Sequence, residues 1–315
     1  MQSAGLLPSE ITPDNKWYRC PTGSHPRSRN GAYKLSPDGT YGLFQNWGIH
    51  NNPIVWNVKS SIRLPLDDGA AIKQRREDER RGIATAIRSA QRYFDTCQPL
   101  RDGHPYLTRK QLDMAGCFPL RVDDAGWLVV PMQLNRVFAS VQRISPNGEK
   151  LFWPGAPTRG ASYVIERYSA ELTVICEGLA TGLAIFNTVP TSRVVVAFYA
   201  GNLLRVAETL TCRGMAVVAA DNDLATEKKA GVNPGVKAAQ EAAAVLGCGV
   251  AVPMGIAGTD WLDYRNEKIA ERMRQLCGDI PEDDKSSIKK AVDAEISAAM
   301  MQDAKRLRGN HDNAK

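Results

Sequence analysis

The rhythm of apolar and polar positions changes near residue 169. Before it, short strand-like runs alternate with turn residues. Ala32–Leu35 and Gly42–Trp47 flank Ser36-Pro37-Asp38-Gly39, a composition that predicts a hairpin within a strand-and-turn region over 17–56. Asp68 to Phe94 lacks proline and predicts a helix with mixed charges along a solvated face. Residues 99–110, PLRDGHPYLTRK, read as a loop rich in Pro and Gly. From Trp127 to Ile165 the runs WLVVPM, VFASVQRI, KLFWPG and ASYVI, broken by the turn SPNG, predict an antiparallel meander.

After residue 169 unbroken apolar runs alternate with helical stretches. Leu172–Cys176, Arg193–Phe198, Met215–Ala220 and Gly249–Pro253 read as buried strands. Leu179–Phe186, Asn202–Leu210 and Pro234–Leu246 read as the helices between them, the last with proline at its first turn. Such alternation predicts an α/β fold with a parallel sheet and flanking helices. Residues 266–315 are polar and helix-prone, and the amphipathic stretch KSSIKKAVDAEISAAMMQDAKRL is expected to dock on the sheet. The expected organisation is a β-rich region over 1–66, a helical connector over 67–98, a strand-rich subdomain over 99–168, the parallel sheet over 169–265 and a helical segment over 266–315.

Charge sharpens this division. Lys+Arg minus Asp+Glu gives 7−3 = +4 for residues 1–66, 9−6 = +3 for 99–168 and 7−9 = −2 for 169–265. A basic front half joined to an acid-centred sheet suits a polyanion track leading to a cation site. In the first region Arg19, Arg27, Arg29 and Lys34 interleave with Trp17, Tyr18, Tyr33, Tyr41, Phe44 and Trp47. That pattern fits a single-stranded nucleic-acid platform, or the core of a small β-unit. Seven cysteines, an odd number without a CxxC pair, argue against both a disulfide framework and a structural zinc ribbon. Cys20, His25 and His50 lack ligand-pair spacing, so no zinc is expected. There is no signal-peptide pattern and no span of membrane length, so a cytoplasmic protein is expected.

The candidate chemistry lies at strand ends, where open parallel sheets bind ligands. TVIC runs into Glu177-Gly178, and AVVAA runs into Asp221-Asn222-Asp223. An extended backbone through the triplet aims Asp221 and Asp223 to one side. Carboxylates gathered this way repel unless cations neutralise them, and hard oxygen donors select Mg²⁺ or Mn²⁺. Asp260, after the last strand, is a further candidate ligand, and Asp263 is either another or the cap of the next helix. A two-metal site of this kind serves nucleotidyl transfer and phosphodiester cleavage equally, so the chemistry alone leaves polymerase and nuclease open.

These residues resemble the Toprim fold of primases, type IA topoisomerases and some nucleases. EGLATGLAI (177–185) is close to the EGYATA motif of plasmid conjugative and satellite-phage primases, with Leu179 and Gly182 in place of its Tyr and last Ala. DND, the following NPG (233–235), AAQEAAAVLG and GTDWLDY look like the same group, although Leu262 stands where relatives often carry Asn. HPYLTRK (104–110) and VVPMQ…SVQRISPNGEKLFWPG…RGASYVI (129–165) resemble the strand-rich subdomain before Toprim there. The resemblance implies a DNA primase making short RNA primers from NTPs on a single-stranded DNA template, in phage or plasmid replication. Glu177, Asp221, Asp223 and Asp260 would be metal ligands. Lys150 would act beside them on nucleotide or primer phosphates, and Arg143 and Arg159 would line the same groove. No GxxxxGK[ST] sequence is present, so unwinding would belong to a separate replicative helicase. A Toprim nuclease and a non-catalytic single-stranded DNA-binding accessory are the alternatives.

Overall fold

The computed structural model describes residues 5–50, 52–57, 69–101, 103–112, 119–275 and 280–305. Asp68, the sequence-expected start of the long helix, lies outside them, as do Arg306 and Leu307 of the terminal stretch. The chain divides into two compact units, Met1–Ile72 and Lys73–Lys315.

The first unit is a four-stranded antiparallel sheet in the order β1 (Tyr18–Cys20), β2 (Gly31–Leu35), β3 (Tyr41–Asn46), β4 (Ile54–Asn57). The β2–β3 hairpin closes where the sequence placed it. Ser36 Oγ donates to Asp38 Oδ1, and Gly39 takes the left-handed conformation, φ 70°, that the turn demands. Leu6, Cys20 and Tyr33 form a small core, with the Tyr18 and Tyr33 rings stacked at 5.6 Å. Trp17, Tyr41, Trp47 and Trp56 stay exposed. The aromatic residues thus split between an inner and an outer set.

The boundary between the units falls within the first turn of α1 (Gly69–Thr96), which is followed by β5 (Gln98–Pro99) and α2 (Pro105–Arg109). Next come β6 (Arg121–Val122), β7 (Leu128–Leu134), β8 (Val137–Ile144) and β9 (Lys150–Phe152), which with β5 form an antiparallel sheet in chain order. Both faces of β7 are covered. Val129 packs with Val141, Phe94 and Cys97 beneath α1, whereas Leu128, Val130 and Met132 join the main core. Period-two geometry explains this division.

The remaining elements are β10 (Tyr163–Glu166), β11 (Leu172–Cys176), α3 (Leu179–Thr188), β12 (Ser192–Val196), α4 (Ala200–Ala207), β13 (Met215–Ala219), α5 (Leu224–Ala230), α6 (Pro234–Leu246), β14 (Gly249–Ala251), α7 (Trp261–Gln275) and α8 (Glu282–Lys305). The five strands align in the order β10-β12-β11-β13-β14, parallel except for β10. On one face Ile175, Val195 and Val218 pack with α4 and α6. On the other, Val174, Val194 and Val217 belong to the main core with residues of α3, α7 and α8. Each fully buried Val, Leu or Ile contributes about 1.5–3 kcal/mol of hydrophobic stabilisation. Two-sided burial is why these strands read as continuous apolar runs.

Three expectations change. The ASYVI run does not stay in the meander: β10 leaves it and pairs antiparallel with β12. Its buried Tyr163 and Ile165 make it an edge of the parallel sheet. HPYLT is not loop but the short helix α2, with Pro105 at its first position and His104 as its cap. His104 Nδ1 accepts from the Tyr106 N–H at 3.2 Å, which leaves Nε2 as the protonated nitrogen, donating to Gly126 O at 2.8 Å. A further helix, α5, follows the acid triplet directly, started by Asp223 and stopped by left-handed Gly231. The terminal helix docks as expected, burying Val292, Ile296, Met300 and Ala304 at four-residue spacing. No helix among the described residues is long and apolar enough to cross a membrane.

Candidate active site

Strand order reverses at β11, with β12 on one side and β13 on the other. The crevice outside the carboxyl ends of such a pair is where open α/β sheets hold ligands. Cys176, the last residue of β11, pairs with Ala219, the last of β13. The chain then places Glu177 and Asp221 on adjoining lips of that crevice. Both line a cleft of about 340 Å³ together with Lys150, Gly178, Ala180, Thr181, Phe198 and Asp260. Tyr106, Arg109, Lys110, Asn147 and Gly148 form the rest of its wall.

Asn222 fixes the acid loop from behind. It is buried, its N–H donates to Thr259 O at 2.6 Å, and its Nδ2 donates to Pro253 O at 3.0 Å. Its Oδ1 accepts from Asn233 Nδ2 at 2.9 Å, and Asn233 also accepts from the Asp223 N–H at 3.2 Å. Asp223 departs from extended geometry, with φ −78° and ψ 55°, as the chain turns into α5. Gly235 in the first turn of α6 permits a close approach: a Cβ there would stand 2.3 Å from Asp221 O and 3.1 Å from Asp223 Oδ2. Gly235→Ala is therefore expected to destabilise the protein by about 1–3 kcal/mol and to displace the acid loop. Urea unfolding would measure the first effect; an unchanged midpoint would refute it.

Burial raises the Asp221 carboxyl from 3.8 to about 8, with the charges of Glu177, Asp260 and Asp223 adding to it and Lys150 opposing. Burial and then the charge of Asp223 also raise Glu177, against Lys150 and an N–H from Ala200. The mutual influence of these acids places them in one electrostatic neighbourhood. Asp221 Oδ1 is buried without a hydrogen-bond partner. A buried carboxylate oxygen left open is destabilising unless something positive completes it. This donor set fits a hard divalent cation held by Glu177 and Asp221 with Asp223 close by. Even so, no group of three His, Cys, Asp or Glu side chains among the described residues is already gathered as a metal cage.

Asp260 is committed differently from a free ligand. Its Oδ1 accepts from the Asp263 N–H at 2.8 Å, capping α7, and its Oδ2 accepts from Thr181 Oγ1 at 3.1 Å. Asp263 is not the cap; its carboxylate accepts from the Thr259 N–H at 3.0 Å and tightens the same turn.

The basic candidates separate clearly. Lys150, at the start of β9, faces the acids across the cleft. Arg143 does not line it. Its guanidinium lies 5.4–5.9 Å from the Tyr93, Trp127 and Trp153 ring centroids, on the same face of β8 as Val141. Arg159 is exposed between β9 and β10 and is not in the cleft wall. Arg19, Arg27 and Arg29 are exposed in the first unit, Arg19 over the Trp47 ring at 4.1 Å. Tyr106, Arg109 and Lys110 were not singled out from sequence. The paired cations of LTRK were the available signal, but only packing of α2 beside the SPNG turn, with Arg109 Nη2 donating to Pro146 O at 2.9 Å, brings them here.

The departures from EGYATA have packing reasons. Leu179 is buried in the main core. A Cβ on Gly182 would stand 2.6 Å from Val196 Cγ2 and 3.2 Å from Cys176 Sγ, so glycine lets α3 sit against β12. Phe198, at the cleft wall, holds a left-handed φ of 72°, a strained conformation for an aromatic residue.

Residues 172–271, which hold the parallel strands and the acids at their ends, match a family described as Toprim domain. Domains of this kind generally bind divalent metals such as Mg²⁺. The chain is also similar to DNA primase TraC of Escherichia coli, 26% identical over an alignment 288 residues long that covers 82% of this chain and 27% of the relative. The chain therefore spans about a quarter of the length of that relative. Among solved structures it is similar to the primase fragment of the bacteriophage T7 primase-helicase, with TM-score 0.40 and 16% identity over 57% of this chain and 79% of that one. It is also similar to the DnaG primase catalytic domain bound to ssDNA, with TM-score 0.38 and 11% identity over 63% and 82%.

Proposed function

We propose that the chain is the nucleotidyl-transfer core of a DNA primase, synthesising short RNA primers from NTPs on single-stranded DNA in phage or plasmid replication. The observation that carries this reading is the meeting of Glu177 and Asp221 with Lys150, Arg109 and Lys110 in one cleft. Acids on one lip suit Mg²⁺ or Mn²⁺, and cations on the other suit a triphosphate. Glu177 and Asp221 would hold the ions, with Asp223 lending charge beside them and Asp260 setting the turn that supports them. Ions bound there would lower the pKa of a primer 3′-hydroxyl and neutralise the leaving pyrophosphate.

The chain's own groups supply positioning. Lys150, Arg109 and Lys110 orient the triphosphate, Arg109 already steadied by its bond to Pro146 O. The first turn of α3 adds N–H groups beside Gly178, which offers no capping side chain to compete for them. Packing reasons for Leu179 and Gly182 weigh against a purely non-catalytic scaffold, because neither change removes a carboxylate. In the first unit, exposed Trp17, Trp47 and Arg19 offer stacking faces and a cation for single-stranded template, with Arg27 and Arg29 as phosphate contacts. Unwinding is assigned to a separate helicase.

The test is one incubation on mixed-sequence single-stranded DNA with Mg²⁺ or Mn²⁺, with and without NTPs. Template-dependent oligonucleotides that require NTPs are expected. Shortened DNA in the absence of NTPs would replace the primase reading with a nuclease. Binding with no covalent product would leave an accessory protein.

A further inference from the structure

A second cluster of cations lies at the opposite end of the parallel sheet. Arg193 pairs across β12 and β11 with Thr173, four residues before Glu177. At strand rise this is about 13 Å from the catalytic lip. Here a separate cavity of about 250 Å³ is walled by the β7–β8 turn, β10, the start of β12 and the segment after α4. Gln133, Asn135, Arg136, Ser162, Arg193 and Thr209 give it polar donors. No carboxylate is among its lining residues.

Arg193 is the unusual member. It is only 7% exposed, and its Nη1 donates to Thr211 O at 2.8 Å. Its Nε is buried and makes no hydrogen bond; the Glu166 carboxylate stands 3.7 Å away, in ion-pair range only. Glu166 is shared, because Arg213 holds its other oxygen. Burial, and then the like charges of Arg213 and Arg136 against the pull of Glu166, depress the Arg193 guanidinium from its ordinary value. Three arginines against one glutamate leave a local charge of 3−1 = +2. A mostly buried guanidinium with two cationic neighbours and one shared carboxylate leaves positive charge in excess at this wall.

The turn adds an independent observation. Leu134 pairs with Val137, so Asn135 and Arg136 form a two-residue hairpin loop. Both take positive φ, 52° and 66°. Such a turn favours Asn followed by Gly, which has no Cβ to strain. Arg136 occupies the glycine position and faces the cavity. Local turn chemistry does not call for an arginine there.

We infer that this cavity is a phosphate-binding site, distinct from the catalytic cleft, in which Arg193 and Arg136 grip one phosphate group and Ser162, Thr209 and Gln133 complete its hydrogen bonds. Guanidinium forks match phosphate oxygens in pairs, which a lone ammonium does not. The phosphate belongs either to a free nucleotide or to the backbone of a nucleic-acid strand; the chemistry that recognises it is shared. The site does not depend on the primase reading, since it uses no metal and none of the acids.

The test uses the full chain in EDTA, titrated by calorimetry with inorganic phosphate, with ATP and with a short oligothymidylate. Millimolar binding of inorganic phosphate is expected, weakened about tenfold or more in Arg136→Gly. Glycine suits that turn, so this variant should melt no lower than the parent, which separates lost binding from lost folding. Arg193→Lys keeps a positive charge but removes the fork, and should weaken phosphate binding similarly. Lys285→Ala, at a partly exposed lysine that lines neither cavity, should leave it unchanged. ATP competing with phosphate identifies a nucleotide site; an Arg136-dependent gain with the oligonucleotide alone identifies strand backbone. Phosphate binding that is absent, equal in Arg136→Gly, or lost as far in Lys285→Ala overturns the inference.

Discussion

Asp221→Asn is expected to reduce metal-dependent primer synthesis on the order of 10³-fold while making the metal-free protein more stable at pH 8. The two effects have one origin. Asp221 is buried beside Glu177 and within the influence of Asp223 and Asp260, so its charge is unfavourable until a cation arrives. Removing that charge relieves repulsion in the folded state. It also removes a proposed metal ligand, and the stabilisation a bound ion gives to transferring phosphate is several kcal/mol, each 1.4 of which is a factor of about ten in rate. The side chains are nearly isosteric, so the loop stitched by Asn222 should not move. Steady-state synthesis and thermal melting of the same preparation give the answer. Undiminished synthesis would remove Asp221 from the site, and a lowered melting point would show that its charge is compensated within the protein.

The metal-free protein should also lose stability as pH rises from about 4 to about 8. The unfolded chain releases the Asp221 proton near its ordinary 3.8, whereas the folded chain keeps it until about 8. Between these values the folded state binds more protons than the unfolded one, and each upward step in pH favours unfolding. The stabilisation is therefore complete below pH 4 and gone above pH 8, and Glu177, raised in the same direction, adds to the slope. A fall in melting temperature on the order of 5–10 °C between pH 5 and pH 8 is expected. Millimolar Mg²⁺ should recover more of it at pH 8 than at pH 5, because only the ionised acids bind metal. A melting temperature flat across this range, or the same slope in Asp221→Asn, would contradict the assignment.

Much of this site could be read from the sequence because its acids sit at strand ends, and the strands announce themselves. Leu172–Cys176 is buried on both faces and reads as an unbroken apolar run, so the position of Glu177 just after it follows directly. Asp221 follows β13 for the same reason. The basic side was harder. Lys150 borders the SPNG turn and was reached through resemblance, but Arg109 and Lys110 enter from a helix whose position depends on packing against a distant turn. Arg143 illustrates the opposite failure. It shares a strand face with Val141, and that face belongs to α1 and its aromatic residues rather than to the cleft. Charge along a sequence does not tell which side of a sheet a residue occupies. Nor does a strand's neighbour in sequence fix its neighbour in space, as β10 demonstrates by crossing from the meander to the edge of the parallel sheet.

The neutral amide between the two aspartates has a consequence for how such a centre can change. Asn222 ties its loop to the segments at Pro253, Thr259 and Asn233, so its own amide hydrogen bonds, two of them from the side chain, and not contacts of the carboxylates, hold the frame on which the flanking side chains stand. Electrical character and placement are thereby decoupled. An exchange at either flanking position for a side chain of different hardness or charge is expected to leave the frame that presents it in place.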